Sequence, residues 1–398
     1  MPDAPHDAPA AGPLAGLRVL DLTLARAGPT CVRHLADWGA DVVRLEPPAG
    51  PGEDVAGRRH GADFQNLHRN KRAIQLDLKS QAGHAAFLRL LRDADVVVEN
   101  MRPSVKRRLR VAWPDVHAVN PRIVYGSISG FGQDGPYADR AGVDQIAQGM
   151  SGLMSITGLP GQGPVRAGIA VADLTAGNLL ALGIMMALYE RMRTGVGRWV
   201  TTSLLQAQVF MLDFQAARWL VDQEVARQAG NDHPTGIPTG VFPTSDGHIN
   251  IAASSSRLFT RFCAAIGRPD WAERPGWTTQ AGRSADRVAI NAAIAEVTRS
   301  QPAAHWIELF EEAGIPCGPI YAIDQVFADP QVQHLGLAMP MQSPALGRVD
   351  VVSSALDFSG HVRAVRRPTP EAGEHTREVL REAGLSEAEI DAVTGAAP

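Results

Sequence analysis

Residues 17–46 read LRVLDLTLARAGPTCVRHLADWGADVVRLE, and they give the first indication of the fold. The alternating apolar run 17–22 is typical of a short strand, and a second strand is predicted at 40–46. Between them the pattern predicts a helix from about Thr30 to Trp38, which Gly39 ends. Strand, helix and strand within about 30 residues form a βαβ unit, so a parallel sheet is expected.

The same alternation of strands and helices continues beyond this unit. Further strands are predicted at 73–78, 94–100 and 122–129, with a helix at 81–93. Ligands of such sheets bind where the strands end, so Asn100 and the loop after Ser129 are expected near a site. A nicotinamide site is disfavoured, because the first turn lacks the GxGxxG fingerprint.

Basic clusters lie on several of the predicted connections. They comprise Lys71-Arg72 with Lys79, Arg102, and Lys106-Arg-Arg108 with Arg110. Their placement near strand-to-helix loops suits a phosphate-bearing ligand. An ordinary solvated helix face also produces charge runs of this kind, so the clusters by themselves favour neither interpretation.

Composition excludes several classes of protein. A chain of 398 residues predicts two or three domains, and 45% hydrophobic with 20% charged residues is typical of a soluble globular protein. The net charge of -4 provides no global basic field, so nucleic acid is not expected as a partner. The three cysteines form no CxxC pair, and the histidines show no HExxH spacing, so neither a disulfide framework nor a metal site is predicted.

No targeting segment is predicted from the first residues of the sequence. Residues 1–13 lack an apolar core and contain no Arg, so a disordered tail is predicted rather than a signal or transit peptide. The most apolar run, Leu179 to Tyr189, is shorter than the roughly 20 residues that span a bilayer. A cytoplasmic protein without membrane association is therefore expected.

The middle of the chain changes character. A helix at about 174–193, a strand at 199–203 and a helix from Leu204 to about Ala229 are predicted. Asp246-Gly247 then indicates a hairpin turn, and short amphipathic helices dominate from Ser256 to Ala313. This part is expected to form a separate, smaller α+β domain.

Asp173 is the most informative single residue. It lies in GIAVADLTAG (168–177), where an apolar strand-like run meets an apolar helix. A carboxylate held near a helix N-terminus and partly out of water can act as a nucleophile toward an activated acyl group. An Asp before an apolar run is, however, more often a helix N-cap, and the local sequence alone favours that interpretation.

The motifs together change this balance, because along residues 14–391 the chain resembles the family III CoA-transferases. That family includes formyl-CoA:oxalate and carnitine CoA-transferases and, as a branch, the α-methylacyl-CoA racemases. The matching stretches, in order, are LAGLRVLD (14–21), AGP (27–29), GADVVRLE (39–46), NKRAIQLDLK (70–79), DVVVEN (95–100), GVGRWV (195–200), GIPCGP (314–319) and GEHT (373–376).

The resemblance implies a mechanism for Asp173. Its carboxylate would attack an acyl-CoA and form a mixed anhydride with release of CoA thiolate. The thiolate would then form an aspartyl-CoA thioester and free the donor acid, and an incoming acid would run the steps in reverse. The CoA thioester is thus a substrate, succinyl-CoA or a similar donor is expected, and no permanently bound cofactor is implied.

The resemblance also implies CoA-binding or substrate-binding residues. The matching positions are Arg26, Ala27, Leu76, Lys79, Asn100, Met101 and Arg108, with Asp144 as a neighbour of the catalytic Asp. Several relatives have Gln where this chain has Arg26. That Arg either pairs with the second carboxylate of a dicarboxylic acid or meets CoA phosphate or solvent, and both interpretations stay open. Pro47 and Ala141 replace basic residues of some relatives.

The architecture implied is an interlocked homodimer of α/β subunits. Each subunit would have a large Rossmann-like CoA-binding domain with a parallel sheet (14–225), a smaller α+β domain (226–330) and a C-terminal return to the large domain (331–398). Two alternatives remain. An acyl-CoA racemase is disfavoured because Val143 replaces the proton-transferring His of that branch. A non-catalytic subunit of a hetero-oligomer is disfavoured by the intact Asp173.

Overall fold

The computed structural model describes residues 12–48 and 58–395. Most of the predicted N-terminal tail, residues 1–11, lies outside this part of the chain. The described residues form two compact units. The first unit comprises residues up to Gly152, Ala167–Ala216 and the chain from Gln331 onward, and the second comprises Leu153–Arg166 with Ala217–Pro330.

Strands and helices alternate through the chain. The strands are β1 (Arg18–Leu22), β2 (Asp41–Glu46), β3 (Lys71–Gln75), β4 (Val96–Glu99), β5 (Val124–Ser129), β6 (Trp199–Ser203), β7 (Thr239–Pro243), β8 (His248–Ala252), β9 (Cys317–Pro319), β10 (Ala338–Ser343) and β11 (Gly347–Val352). The helices are α1 (Ala27–Asp37), α2 (Ala62–His68), α3 (Gln81–Arg92), α4 (Pro103–Leu109), α5 (Trp113–Val119), α6 (Asp144–Met150), α7 (Leu153–Ile156), α8 (Val171–Thr194), α9 (Leu204–Phe210), α10 (Phe214–Asp222), α11 (Ser256–Ala265), α12 (Asp270–Glu273), α13 (Gln280–Ala285), α14 (Arg287–Thr298), α15 (Ala303–Glu312), α16 (Ile323–Ala328), α17 (Pro330–His334), α18 (Thr376–Glu382) and α19 (Glu387–Thr394).

The first unit is built on a six-stranded parallel sheet. Its strand order is β3-β2-β1-β4-β5-β6, and every neighbouring pair runs in parallel. The predicted βαβ unit and parallel sheet are confirmed. This order reverses direction between β1 and β4, and the crevice at such a reversal is where open α/β sheets bind their ligands.

Both faces of this sheet are covered by helices. Val19 and Val42 pack with α1 and α8 on one face, whereas Leu20 and Val43 pack with α3, α18 and α19 on the other. The strands are therefore buried on both sides, which explains why β1 and β2 have apolar residues on both faces. Because α18 and α19 belong to this core, the C-terminal segment completes the unit that the N-terminal strands begin.

Strand β3 begins earlier than the sequence indicates, and this changes the meaning of one basic cluster. Lys71 and Arg72 are strand residues with buried side chains, not loop residues. Lys71 Nζ lies 2.9 Å from Asp21 Oδ2, and Arg72 pairs with Asp41 and with two carboxylates of α18. Ion pairs and hydrogen bonds compensate the buried charges. Of the two interpretations of this cluster, contact with a phosphate therefore does not hold for Lys71 and Arg72.

A third basic residue, Lys106, is also buried and paired, so it is not available to a ligand. Lys106 is buried in α4, with Nζ 2.7 Å from Glu99 Oε1 and 2.6 Å from Gln133 Oε1. Its neighbours Arg107 and Arg108 are exposed in the last turn of the same helix. Of this cluster, Arg107, Arg108 and Arg110 are exposed and available to an anionic ligand.

The second unit contains a three-stranded antiparallel sheet in the order β7-β8-β9. The predicted hairpin between β7 and β8 is confirmed. An aromatic core holds the unit together, and its largest members are Phe259, Phe262, Trp271, Trp277, Trp306 and Phe310. Arg283 is buried among them, where its guanidinium stacks on Phe259 and donates to the carbonyls of Ile237, Trp277 and Ser254.

The large domain predicted as 14–225 differs from the observed grouping at 153–166 and 217–225. Hydrogen bonds account for the first difference, because Gln228 Nε2 donates to the carbonyls of Thr157 (2.7 Å) and Gly163 (2.6 Å). The prediction of a single helix from Leu204 to about Ala229 is wrong. It is divided into α9 and α10 around Asp213, whose φ of 44° interrupts a right-handed helix.

Helix α8 is longer than its most apolar stretch suggested. It spans 24 residues, and its length and composition alone would allow it to cross a membrane. Half of its most apolar window is buried, and the helix packs against α1 and β5. Helix α8 is therefore a core helix of the first unit, and its first turn carries Asp173.

Candidate active site

The site begins at the turn between β1 and α1. Ala25 lies in the left-handed region with φ of 59°, a conformation that costs energy for a residue other than glycine. Asn100, which follows β4, holds this turn with both ends of its side-chain amide. Its Oδ1 accepts from Leu24 N at 2.9 Å, and its Nδ2 donates to Leu24 O at 2.7 Å. The next residue, Arg26, is thereby fixed at the N-terminus of α1.

Close backbone packing places this turn beside the beginning of α8. A Cβ atom on Gly177 would lie 2.6 Å from the carbonyl oxygen of Ala27 and 2.8 Å from Cβ of Thr30. Only glycine allows the two helices to approach so closely. Asp173 is one turn before Gly177 on the same face of α8, so Arg26 and Ala27 lie next to the turn that carries Asp173.

Asp173 is the third residue of α8 and not its N-cap. The capping role belongs to Asp144, the first residue of α6. Asp144 Oδ1 accepts from Ala172 N at 2.9 Å and, more weakly, from Asp173 N at 3.4 Å. The interpretation of Asp173 as an ordinary cap is therefore wrong, because another side chain meets that need. Within the described residues, the Asp173 carboxylate itself accepts no hydrogen bond.

The environment of the Asp173 carboxylate disfavours its charge. Burial, together with the negative charge of Asp144, raises its pKa from 3.8 to about 6, although the positive charge of Arg26 acts in the opposite direction. At neutral pH the group is still mainly ionised, but it is poorly solvated. A carboxylate in this state is more basic and more nucleophilic than one exposed to water.

Gln148 is a site residue that the sequence analysis missed. It is completely buried, and its Nε2 donates to Asp144 Oδ2 at 2.6 Å and to the Ile169 carbonyl at 3.3 Å. Its Oε1 accepts from Ala167 N at 2.8 Å. Gln148 therefore joins Asp144 to the segment that leads into α8. The spacing of four residues between Asp144 and Gln148 on one helix face was the available signal.

The loop after β5, expected near a site, runs close to the beginning of α6. A Cβ on Gly130 would lie 2.6 Å from the Cα of Gly142, so the two backbones touch. This contact places the loop after β5 beside Val143 and Asp144, which follow Gly142. Val143 is the N-cap of α6, and its side chain is 61% exposed and has no titratable group. It therefore cannot move a proton at a substrate carbon.

A cavity of about 460 Å³ lies at the carboxyl ends of the central strands. It includes three of the residues predicted from sequence, Leu76, Lys79 and Met101. Its remaining lining is mostly apolar and includes Leu22, Leu24, Leu45, Pro47, Val105 and Leu109. Leu76 is buried and Lys79 is exposed. The cavity is thus suited to a flat apolar group, with a cation at its rim for a phosphate.

Arg108, which was predicted to contact a CoA phosphate, is exposed on α4 and does not line this cavity. Pro47, at the end of β2, contributes no charge to the lining. Among the described residues, no group of three or more His, Cys, Asp or Glu side chains is arranged to hold a metal ion.

Comparison with known proteins places this site in a family. The sequence profile of CoA-transferase family III matches residues 14–376. Succinate–glutarate CoA-transferase of Agrobacterium fabrum is 37% identical over 396 residues, which cover 96% of this chain and 98% of the relative. Succinyl-CoA:glutarate CoA-transferase of Mus musculus is 37% identical over 379 residues, or 93% of this chain and 86% of the relative.

A solved structure supports the same assignment. The crystal structure of a CAIB/BAIF family protein from Brucella suis superposes with a TM-score of 0.81 at 32% identity, and it covers 94% of this chain and 100% of that protein. Sequence and fold therefore agree over nearly the whole length. The chain belongs to CoA-transferase family III, and it is a CoA-transferase.

Proposed function

We propose that this enzyme transfers CoA from succinyl-CoA, or a similar acyl-CoA, to a small dicarboxylic acid through covalent intermediates on Asp173. The names of two relatives, at 37% identity, support succinyl-CoA as the donor and an acid such as glutarate as the acceptor. The observation that carries the proposal is the Asp173 carboxylate. It is partly buried, accepts no hydrogen bond in the described chain and has a pKa of about 6.

In the first half-reaction, a carboxylate oxygen of Asp173 attacks the thioester carbon of the donor. The carbon–sulfur bond breaks, CoA leaves as the thiolate, and a mixed anhydride remains. The thiolate then attacks the aspartyl carbonyl of this anhydride. The anhydride bond breaks, the donor acid leaves as its carboxylate, and Asp173 becomes a CoA thioester.

The second half-reaction repeats these steps with the acceptor. A carboxylate oxygen of the acceptor attacks the aspartyl thioester, CoA thiolate leaves, and a new mixed anhydride forms. The thiolate attacks the acceptor acyl carbon, which yields the new CoA ester and restores the Asp173 carboxylate. No proton is consumed in the balance, so the site needs a poorly solvated carboxylate rather than a general base.

The chain's own residues give each substrate a place. Leu76 and Met101 in the cavity at the strand ends would hold the adenine ring, while Lys79 and Arg108 would meet CoA phosphates. Asn100 would act through the turn that carries Arg26 and Ala27. The N-terminal end of α8 would stabilise negative charge that develops at the reacting carbonyl.

We propose in addition that the enzyme works as an interlocked homodimer in the cytoplasm, as the family resemblance implies. The apolar side chains on the outer face of α8 support a covered surface, because Leu182, Met186 and Tyr189 are 52%, 62% and 65% exposed in the single chain. Exposed apolar surface of this kind is typical of protein interfaces.

Mass spectrometry tests the covalent route. The enzyme is incubated with succinyl-CoA without an acceptor, quenched with hydroxylamine or borohydride, digested, and its peptides are mapped. We expect a hydroxamate or a reduced side chain at Asp173 in the wild-type enzyme and in an Asp144→Asn control. Asp173→Asn should give neither adduct nor turnover. Turnover by Asp173→Asn, or an adduct confined to another residue, would contradict the proposal.

A further inference from the structure

The side chain of Arg26 pairs with Asp63, a residue outside the motifs quoted above. Its Nη2 donates to Asp63 Oδ2 at 2.5 Å, and Asp63 lies in the first turn of α2. The two side chains are 34% and 48% exposed. Ion pairs with this exposure contribute little to stability. A role in presenting the guanidinium explains the contact better than a role in holding α2 to α1.

The backbone of Arg26 is held, whereas its side chain is not buried. Asn100 fixes Leu24 with two hydrogen bonds, and the left-handed Ala25 sets the direction of the chain. On the other side, a Cβ on Gly28 would lie 2.4 Å from Cβ of Thr23, so the turn is tightly closed. The long Arg26 side chain is partly exposed, and its bond to Asp63 restricts its orientation.

The contact with Asp63 leaves most of the guanidinium open. An Arg side chain carries five N–H donors in a rigid fork, and Asp63 accepts from Nη2 alone. Within the described residues, no other acceptor bonds this fork. The open donors can therefore form a bidentate pair with another carboxylate, next to the turn of α8 that carries Asp173.

We propose that Asp63 is a positioning residue for substrate selection: it orients Arg26 so that the free side of the guanidinium binds the second carboxylate of a dicarboxylic substrate. This inference rests on the proposed function, because Arg26 can select an acid only if the reaction takes place at Asp173. It assigns the choice between dicarboxylic and monocarboxylic acids to the pair Arg26–Asp63.

The test compares glutarate with butyrate, which lacks only the second carboxylate, with succinyl-CoA as donor. Each acid is measured as an acceptor or, where it is not converted, as a competitive inhibitor. Asp63→Ala should raise the KM for glutarate about ten-fold and leave the constant for butyrate within about two-fold. Asp63→Asn keeps an oxygen acceptor for Nη2 and should restore most of the glutarate affinity.

Two further variants complete the design. Arg26→Gln should remove the preference for glutarate, and Asp63→Ala should have no added effect on that background, because the two residues act as one unit. Asp270→Ala is the matched control, since it breaks another exposed pair, Arg268–Asp270, in the second unit. It should leave both constants unchanged.

The outcomes separate this inference from the proposed function. Equal effects of Asp63→Ala on glutarate and butyrate, or no effect on either, would overturn the role of Asp63 even if Asp173 is trapped covalently. If Arg26→Gln instead raises the KM for succinyl-CoA but not for its 3′-dephospho analogue, Arg26 serves a CoA phosphate and the inference fails. A failure to trap Asp173 would overturn the proposed function itself.

Discussion

Replacement of Asp173 by Asn should stabilise the enzyme at neutral pH while it abolishes transfer. Burial and, to a smaller extent, the charge of Asp144 raise the pKa of Asp173 from 3.8 to about 6. A shift of roughly two pKa units corresponds to about 3 kcal/mol of unfavourable free energy for the ionised form in the folded state. Because the side chain keeps some contact with solvent, we expect about 1 to 2 kcal/mol to be recovered.

The pH dependence gives this effect a distinctive sign. The folded-state pKa of this acid lies above its unfolded value, so the folded protein binds more protons between pH 3.8 and about 6. Ionisation of Asp173 therefore lowers the free energy of unfolding as pH rises through that window, and the loss is complete above it. The gain from Asp173→Asn should be full at pH 8 and mostly lost at about pH 4, where the folded-state carboxyl is protonated.

Urea unfolding at pH 8, 6 and 4, followed by tryptophan fluorescence, measures this difference directly. An exposed substitution, Asp222→Asn, serves as the control and should show no such pH-dependent gain. Equal differences at all three pH values, or a less stable Asp173→Asn enzyme at pH 8, would refute the claim that the nucleophile is held in an unfavourable charged state.

Two further predictions concern the residues that position the nucleophile and the turn. Gln148→Leu removes the bonds that hold the segment before α8, so kcat should fall roughly 10- to 100-fold while the KM for succinyl-CoA stays within about two-fold; unchanged steady-state kinetics, in a variant that keeps its wild-type circular dichroism, would contradict this. Asn100→Ala releases Leu24 and, through it, Arg26, and should raise the KM values of both substrates by roughly 5- to 10-fold. A full loss of folding would show instead that Asn100 is needed for the sheet.

The fold was largely predictable because its parallel strands carry a local signal. The runs at β1 and β2 are buried on both faces, so their apolar character and the intervening helix indicate the βαβ unit directly. The start of β3 was predicted two residues too late, because no local signal marks it. Lys71 looks like a loop residue until its partner Asp21, fifty positions earlier in the chain, is known. Pairing between distant residues has no local signature.

The site was predictable only in part for the same reason. The junction at Asp173 could be found from the sequence, but its local context favoured a capping role. That role is taken by Asp144 from another helix, and this leaves the Asp173 carboxylate without a hydrogen-bond donor in the described chain. The spacing of four residues could have linked Gln148 to Asp144, but the contact of Gln148 with Ala167 and that of Asp63 with Arg26 span 19 and 37 residues, and no spacing rule identifies them.

The long reach of Arg72 has a consequence during synthesis. Arg72 lies in the third strand, but its partners Glu378 and Glu382 follow 306 and 310 residues later. At ribosomal speeds of about 5 to 20 residues per second, roughly 15 to 60 s pass between them. During that interval the nascent sheet lacks the apolar cover of α18 and two acceptors for this guanidinium. The first unit therefore finishes folding only as the C-terminus emerges, and prematurely terminated chains carry an open sheet face that chaperones and proteases can recognise.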